Sequence, residues 1–85
     1  MSTPKLTFHV EARRVDAHGS LARCKRAEIA LDTDLAGNPD ALNPAELLLA
    51  AMSACMIKGI ERVTPLLNFS LRGVEVSVDG VRQDV

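Results

Sequence analysis

The sequence predicts an α+β fold with an N-terminal β-hairpin, a buried central helix and then a further β-strand. Three observations carry this expectation. Apolar and polar residues alternate toward both ends of the chain, with the period of half-buried strands. Between these stretches, from Ala45 to Ile57, only Glu46 and Ser53 are polar. The length, 85 residues, suits one small domain, read here as 1–85.

The first strand rests on Leu6, Phe8, Val10 and Ala12 alternating with Thr7, His9, Glu11 and Arg13. Arg14 falls on the apolar side of that alternation, so a strand reaching this far turns it inward. Asp16-Ala17-His18-Gly19 is a turn signal. A second strand from Leu21 to Leu31 completes the hairpin. Its alternation is poorer, because Arg23 and Lys25 share a face with Leu21, Ala27, Ile29 and Leu31; a bulge or an exposed strand end accommodates them.

Asp32 to Asn43 is a loop rich in Asp, Gly and Pro. Asp32, Asp34, Gly37 and Asp40 have the spacing of a calcium loop. Ala36 and Asn43 stand where that loop needs ligands, and a strand precedes it, so no calcium site is expected. His9 on the polar strand face and His18 in the turn lack Cys or carboxylate neighbours at metal-ligand spacing. No metal and no cofactor are expected.

The helix start is the clearest signal in the chain. Asn43 suits the cap, Pro44 the first helical position, and Glu46 the capping-box position. Lys58, Gly59, Glu61 and Arg62 mark the emergence of the helix, and Thr64-Pro65 ends or kinks it. Its apolar run is shorter than the roughly 20 residues a bilayer requires, so no membrane partner is expected. Val74, Val76 and Val78 then alternate with Glu75, Ser77 and Asp79, which predicts the third strand.

A helix that is apolar on every side is under-covered by about three strands, since one sheet shields one face. A homodimer that buries the helix between two sheets meets the need. A chain this size buries only about 60% of its unfolded surface, which points the same way.

The formal charge is −1, and the acidic and basic residues cancel up to Leu42. No broad basic face and few aromatic stacking platforms exist, which disfavours nucleic acid as a partner. The cluster Arg23-Cys24-Lys25-Arg26 reads as a solvated strand face or edge protection, with a nucleic-acid adaptor as the weaker reading. Two cysteines do not make a disulfide scaffold, and Met1-Ser2-Thr3-Pro4-Lys5 is not followed by an apolar leader. A reduced, cytoplasmic protein is the expectation.

Cys55 is the candidate reactive group. The residues alone leave two readings open, a small buried hydrophobe or a nucleophilic thiol. Cys24, between basic residues, reads as a surface thiol.

The segment Asn43-Pro44-Ala45-Glu46-Leu47-Leu48-Leu49-Ala50-Ala51-Met52-Ser53-Ala54-Cys55 resembles the signature of the OsmC/Ohr family of osmotically inducible and organic hydroperoxide resistance proteins. In that family a loop leads through Asn/Ser-Pro and an acidic residue into an apolar helix ending on Ala/Gly-Cys. The resemblance implies an OsmC-like fold, completed as an intertwined homodimer, of which this chain is the N-terminal portion. It implies thiol-dependent reduction of organic hydroperoxides in the oxidative-stress response, with Cys55 as the peroxidatic cysteine. Arg14 is the candidate for the arginine that stabilises the thiolate, and Arg13 the second choice. The family's helix-start glutamate falls at Ala45, with Glu46 beside it as a supporting residue. Glu46 and Cys55 lie on opposite sides of one helix, roughly 180° apart and about 13 Å along it, so Glu46 reads first as a cap. The family's second, resolving cysteine lies in its C-terminal half and Cys24 is not at that position, so the chain is a fragment or shortened relative, uses an external thiol reductant, or is not a peroxidase. The alternative function is a non-catalytic OsmC-like dimer that binds a small hydrophobic ligand near Leu48, Met52 and Met56.

Overall fold

The computed structural model describes residues 3–83; Met1 and Ser2, read above for a leader, lie outside that range. The fold is α+β: a three-stranded antiparallel sheet and one long helix. The chain forms two compact units, Met1–Pro44 and Ala45–Val85.

The first unit holds β1 (Glu11–Asp16), β2 (Gly19–Cys24) and β3 (Ala27–Leu31), in the order β1-β2-β3. The expected hairpin is present. Ala12 pairs with Ala22, Arg13 with Leu21 and Arg14 with Ser20, and the register shifts between Arg14 and Asp16 before the turn.

Two strand expectations are corrected. The stretch Leu21–Leu31 is not one strand, because the chain reverses at Lys25-Arg26 and Cys24 pairs with Ala27. Paired residues share a face, so Ser20, Ala22, Cys24, Ala27, Ile29 and Leu31 lie together, while Leu21, Arg23, Glu28 and Ala30 take the other face. The reversal repairs the broken alternation that one continuous strand requires. Lys25 takes a left-handed φ of 55° to make the turn. The first strand also begins later than Leu6. Glu11 is already opposite Arg23, close to the reversal, so β2 offers no ladder for residues 6–9. Leu6, Phe8 and Val10 are consequently exposed.

The helix α1 (Pro44–Val63) begins on the last residue of the first unit and otherwise belongs to the second, with Glu46 in its first turn and Arg62 in its last. Both charges complement the helix dipole. Ser53, polar within the apolar run, donates its hydroxyl to the Leu49 carbonyl at 2.9 Å, which satisfies it within the helix. At Thr64-Pro65 the chain tightens into a 3₁₀ turn over Thr64–Leu67. Asn68, at φ 58°, closes it: its N–H donates to Pro65 O and the Phe69 N–H to Thr64 O. This pair of bonds is a Schellman motif with asparagine in the left-handed position.

The third strand is also corrected. Leu71, Val74, Val76 and Val78 alternate between half-buried and exposed neighbours, as their pattern demands, but residues 70–83 form no ladder. A strand needs a hydrogen-bonding partner, and none of the three ladder strands pairs with this segment. It passes close to the helix instead, for a Cβ placed on Gly80 would stand 3.3 Å from Leu49 Cδ1.

The helix is not buried within the chain, since no residue of α1 is buried. One extended segment cannot cover a cylinder that is apolar all round. Among the described residues Ala22, at 7% exposure, is the sole buried apolar side chain, and Ser20 and Asp32 are buried polar ones. Among the described residues no helix is long and apolar enough to cross a membrane.

Candidate functional site

Cys55 lies in the fourth turn of α1 and is exposed, with a free thiol. Helical spacing of 100° per residue places it beside Leu48 and Met52, with Met56 about 100° further round the helix. Leu48, Met52, Met56, Ile60 and Val63 are all substantially exposed. They form a continuous apolar stripe that runs past the thiol. The reading of Cys55 as a buried hydrophobe is thus corrected for the single chain, because the helix turns this side outward.

Glu46 stands on the same unbroken helix, nine positions before Cys55. That separation puts it on the opposite side, about 13 Å away along the axis. Arg14 and Arg13 are exposed residues of β1 in the first unit, whereas Cys55 belongs to the second. Arg14, through its pairing with Ser20, shares the face of Ala12, Ala22 and Ile29, which is the side the alternation assigned to it. It is nonetheless exposed rather than turned into a core. Cys24 is a half-buried free thiol at the end of β2. Of the basic cluster, Arg23 is engaged, its Nε donating to Glu28 Oε2 at 2.9 Å.

The most organised polar cluster lies elsewhere, between the β1–β2 turn and the loop of residues 32–43. Asp34 accepts at both carboxylate oxygens: Oδ1 from the Ala36 N–H at 2.8 Å, Oδ2 against His18 Nδ1 at 2.9 Å. Asn38 donates its side-chain amide to the His18 carbonyl at 3.2 Å, and the Ser20 and Thr33 hydroxyls meet at 2.7 Å. Asp16 Oδ1 accepts the His18 backbone N–H at 2.8 Å. The hydrogen bond to Asp34 holds the His18 imidazole above its ordinary 6.5, helped by the charges of Asp34 and Asp16. The same bond, with the Ala36 N–H, holds the Asp34 carboxyl below its ordinary 3.8. In the sequence His18 is a turn residue with no metal-ligand spacing around it. Its partner is 16 residues away, and no local spacing announces such a contact.

Among the described residues no group of three or more His, Cys, Asp or Glu side chains is placed to hold a metal ion. No family model, curated protein or solved structure matches this chain.

Proposed function

We propose that the chain is an OsmC-like thiol hydroperoxide reductase acting through Cys55, in the oxidative-stress response of the cytoplasm. The observation that supports this reading most is the exposed thiol of Cys55 on an apolar helix stripe, at the end of the Asn43–Cys55 segment that resembles the family signature. An organic hydroperoxide has an apolar body and a polar peroxide group. Leu48, Met52 and Met56 offer the body a surface beside the sulfur.

The chemistry balances without a metal or cofactor. The Cys55 thiolate attacks one peroxide oxygen, so an S–O bond forms as the O–O bond breaks. The departing alkoxide takes up a proton and leaves as an alcohol. Sulfur is oxidised to a sulfenic acid while the peroxide is reduced. A thiol reductant condenses with the sulfenic acid and releases water, and a second thiol then reduces the mixed disulfide. The resemblance assigns Arg14 the role of favouring the thiolate and Glu46 a supporting role.

The reading includes a homodimer that covers the helix. Five large apolar side chains stand exposed along one side of α1, and full burial of each is worth about 1.5–3 kcal/mol. The methionine-rich stripe also favours a second reading, a non-catalytic dimer that binds a small hydrophobic molecule.

Substoichiometric cumene hydroperoxide with dimedone, followed by mass spectrometry, separates the two. The reductase reading expects a dimedone adduct on Cys55. Absence of that adduct overturns it in favour of the binding module.

A further inference from the structure

We propose that His18 and Asp34 form a protonation-dependent clasp that tightens the loop of residues 32–43 onto the β1–β2 turn in mild acid and loosens it as pH rises.

The loop is largely self-contained. Its backbone folds on its own side chains, with the Asp34 N–H on Asp32 Oδ1, the Ala36 N–H on Asp34 Oδ1 and the Asp40 N–H on Asn38 Oδ1. Its two ends are tied by the Asp32 N–H to Leu42 O bond at 2.8 Å. Side-chain contacts then join it to the hairpin, among them Asn38 to the His18 carbonyl, Ser20 to Thr33, and His18 to Asp34. Asn38 lies within ordinary contact of the turn, its Nδ2 3.9 Å from where a Cβ on Gly19 would stand.

Of the groups in these contacts, the histidine is the one that changes charge near neutral pH. The titratable groups facing it are Asp34 from the loop and Asp16 from the end of β1, both acidic. With the imidazole protonated, the bond to the Asp34 carboxylate joins opposite charges, and that attraction is lost when the ring becomes neutral. The neutral ring keeps the bond only in the tautomer that carries its proton on Nδ1. Asp34 also accepts the Ala36 N–H, so whatever slackens at Oδ2 is felt at the loop backbone through Oδ1. The Asn38 and Ser20 contacts do not titrate here, so the loop loosens without detaching.

NMR titration of the full chain from pH 5 to 9 tests this. The amide resonances of Asp34 and Ala36 should step with the same midpoint as the His18 ring, above 6.5, and their hydrogen-exchange protection factors should fall across that step. His18→Gln keeps a hydrogen-bonding side chain but cannot titrate, and should abolish the step at both amides. Asp34→Asn keeps an oxygen for the Ala36 N–H and should return the ring midpoint toward its ordinary value. The clasp is overturned if the two amides do not follow the ring, or if their step persists at the same midpoint in His18→Gln.

Discussion

Truncating Leu48 to alanine tests whether the exposed stripe of α1 is an interface between two copies of this chain. Leu48 is 63% exposed. Leu→Ala removes three carbon atoms, each worth about 0.8 kcal/mol on full burial. The fraction still open to water gives about 1.5 kcal/mol per copy, and a two-fold interface counts it twice, for about 3 kcal/mol. That corresponds to a roughly 150-fold weaker dimer, at about 1.4 kcal/mol per factor of ten. Alanine is the stronger helix former, so α1 itself should persist and its circular dichroism should not change. Sedimentation equilibrium across a concentration series reads the dissociation constant directly. Leu35→Ala is the control, because Leu35 is fully exposed in the loop and far from α1 in sequence. A wild-type chain that is monomeric at micromolar concentration refutes the reasoning. So does a Leu48→Ala dimer as tight as the wild type.

Other perturbations carry their own outcomes. Lys25 holds a left-handed φ of 55° at the β2–β3 reversal, so Lys25→Gly should stabilise by about 0.5–1 kcal/mol in urea denaturation, the steric relief outweighing glycine's entropy; a lower midpoint contradicts the turn geometry. Stability should also show a pH optimum. His18, raised in the folded chain, contributes fully below 6.5 and loses its contribution as pH rises through its folded value. Asp34, lowered in the folded chain, contributes above 3.8 and loses its contribution as pH falls. Thermal melts should therefore peak between about pH 4 and 6.5, and His18→Gln should flatten the alkaline limb; an unchanged limb removes the pair from the balance. Arg14→Ala should slow sulfenic acid formation at Cys55 if Arg14 has the role the resemblance assigns; an unchanged rate returns it to a surface residue.

The elements that were legible are those whose signals are local. Asn43-Pro44 opens α1 and Thr64-Pro65 ends its α-helical part, because capping and the missing proline N–H act within one turn of chain. Asp16–Gly19 marked the first reversal for the same reason. The second reversal was hidden, because Lys25 and Arg26 are neither glycine nor asparagine and the turn depends on a lysine accepting left-handed backbone. The broken alternation around Arg23 and Lys25 was the available sign, and it means reversal rather than bulge. The valines at 74, 76 and 78 carry a strand pattern, but a pattern specifies which sides are apolar and cannot supply a ladder partner. At the site, Cys55 was legible from the Asn43–Cys55 segment, while its exposure depends on what covers α1. The His18–Asp34 contact was illegible, since only the folded hairpin brings the turn to the loop.

The most direct measurement is the alcohol released in a single turnover. With reductant absent and one equivalent of cumene hydroperoxide, the wild-type chain should release about one cumyl alcohol per chain and stop at the sulfenic acid. Cys55→Ser should release none, and Cys24→Ser should release as much as the wild type. Equal release from wild type and Cys55→Ser would contradict the claim that Cys55 carries the chemistry.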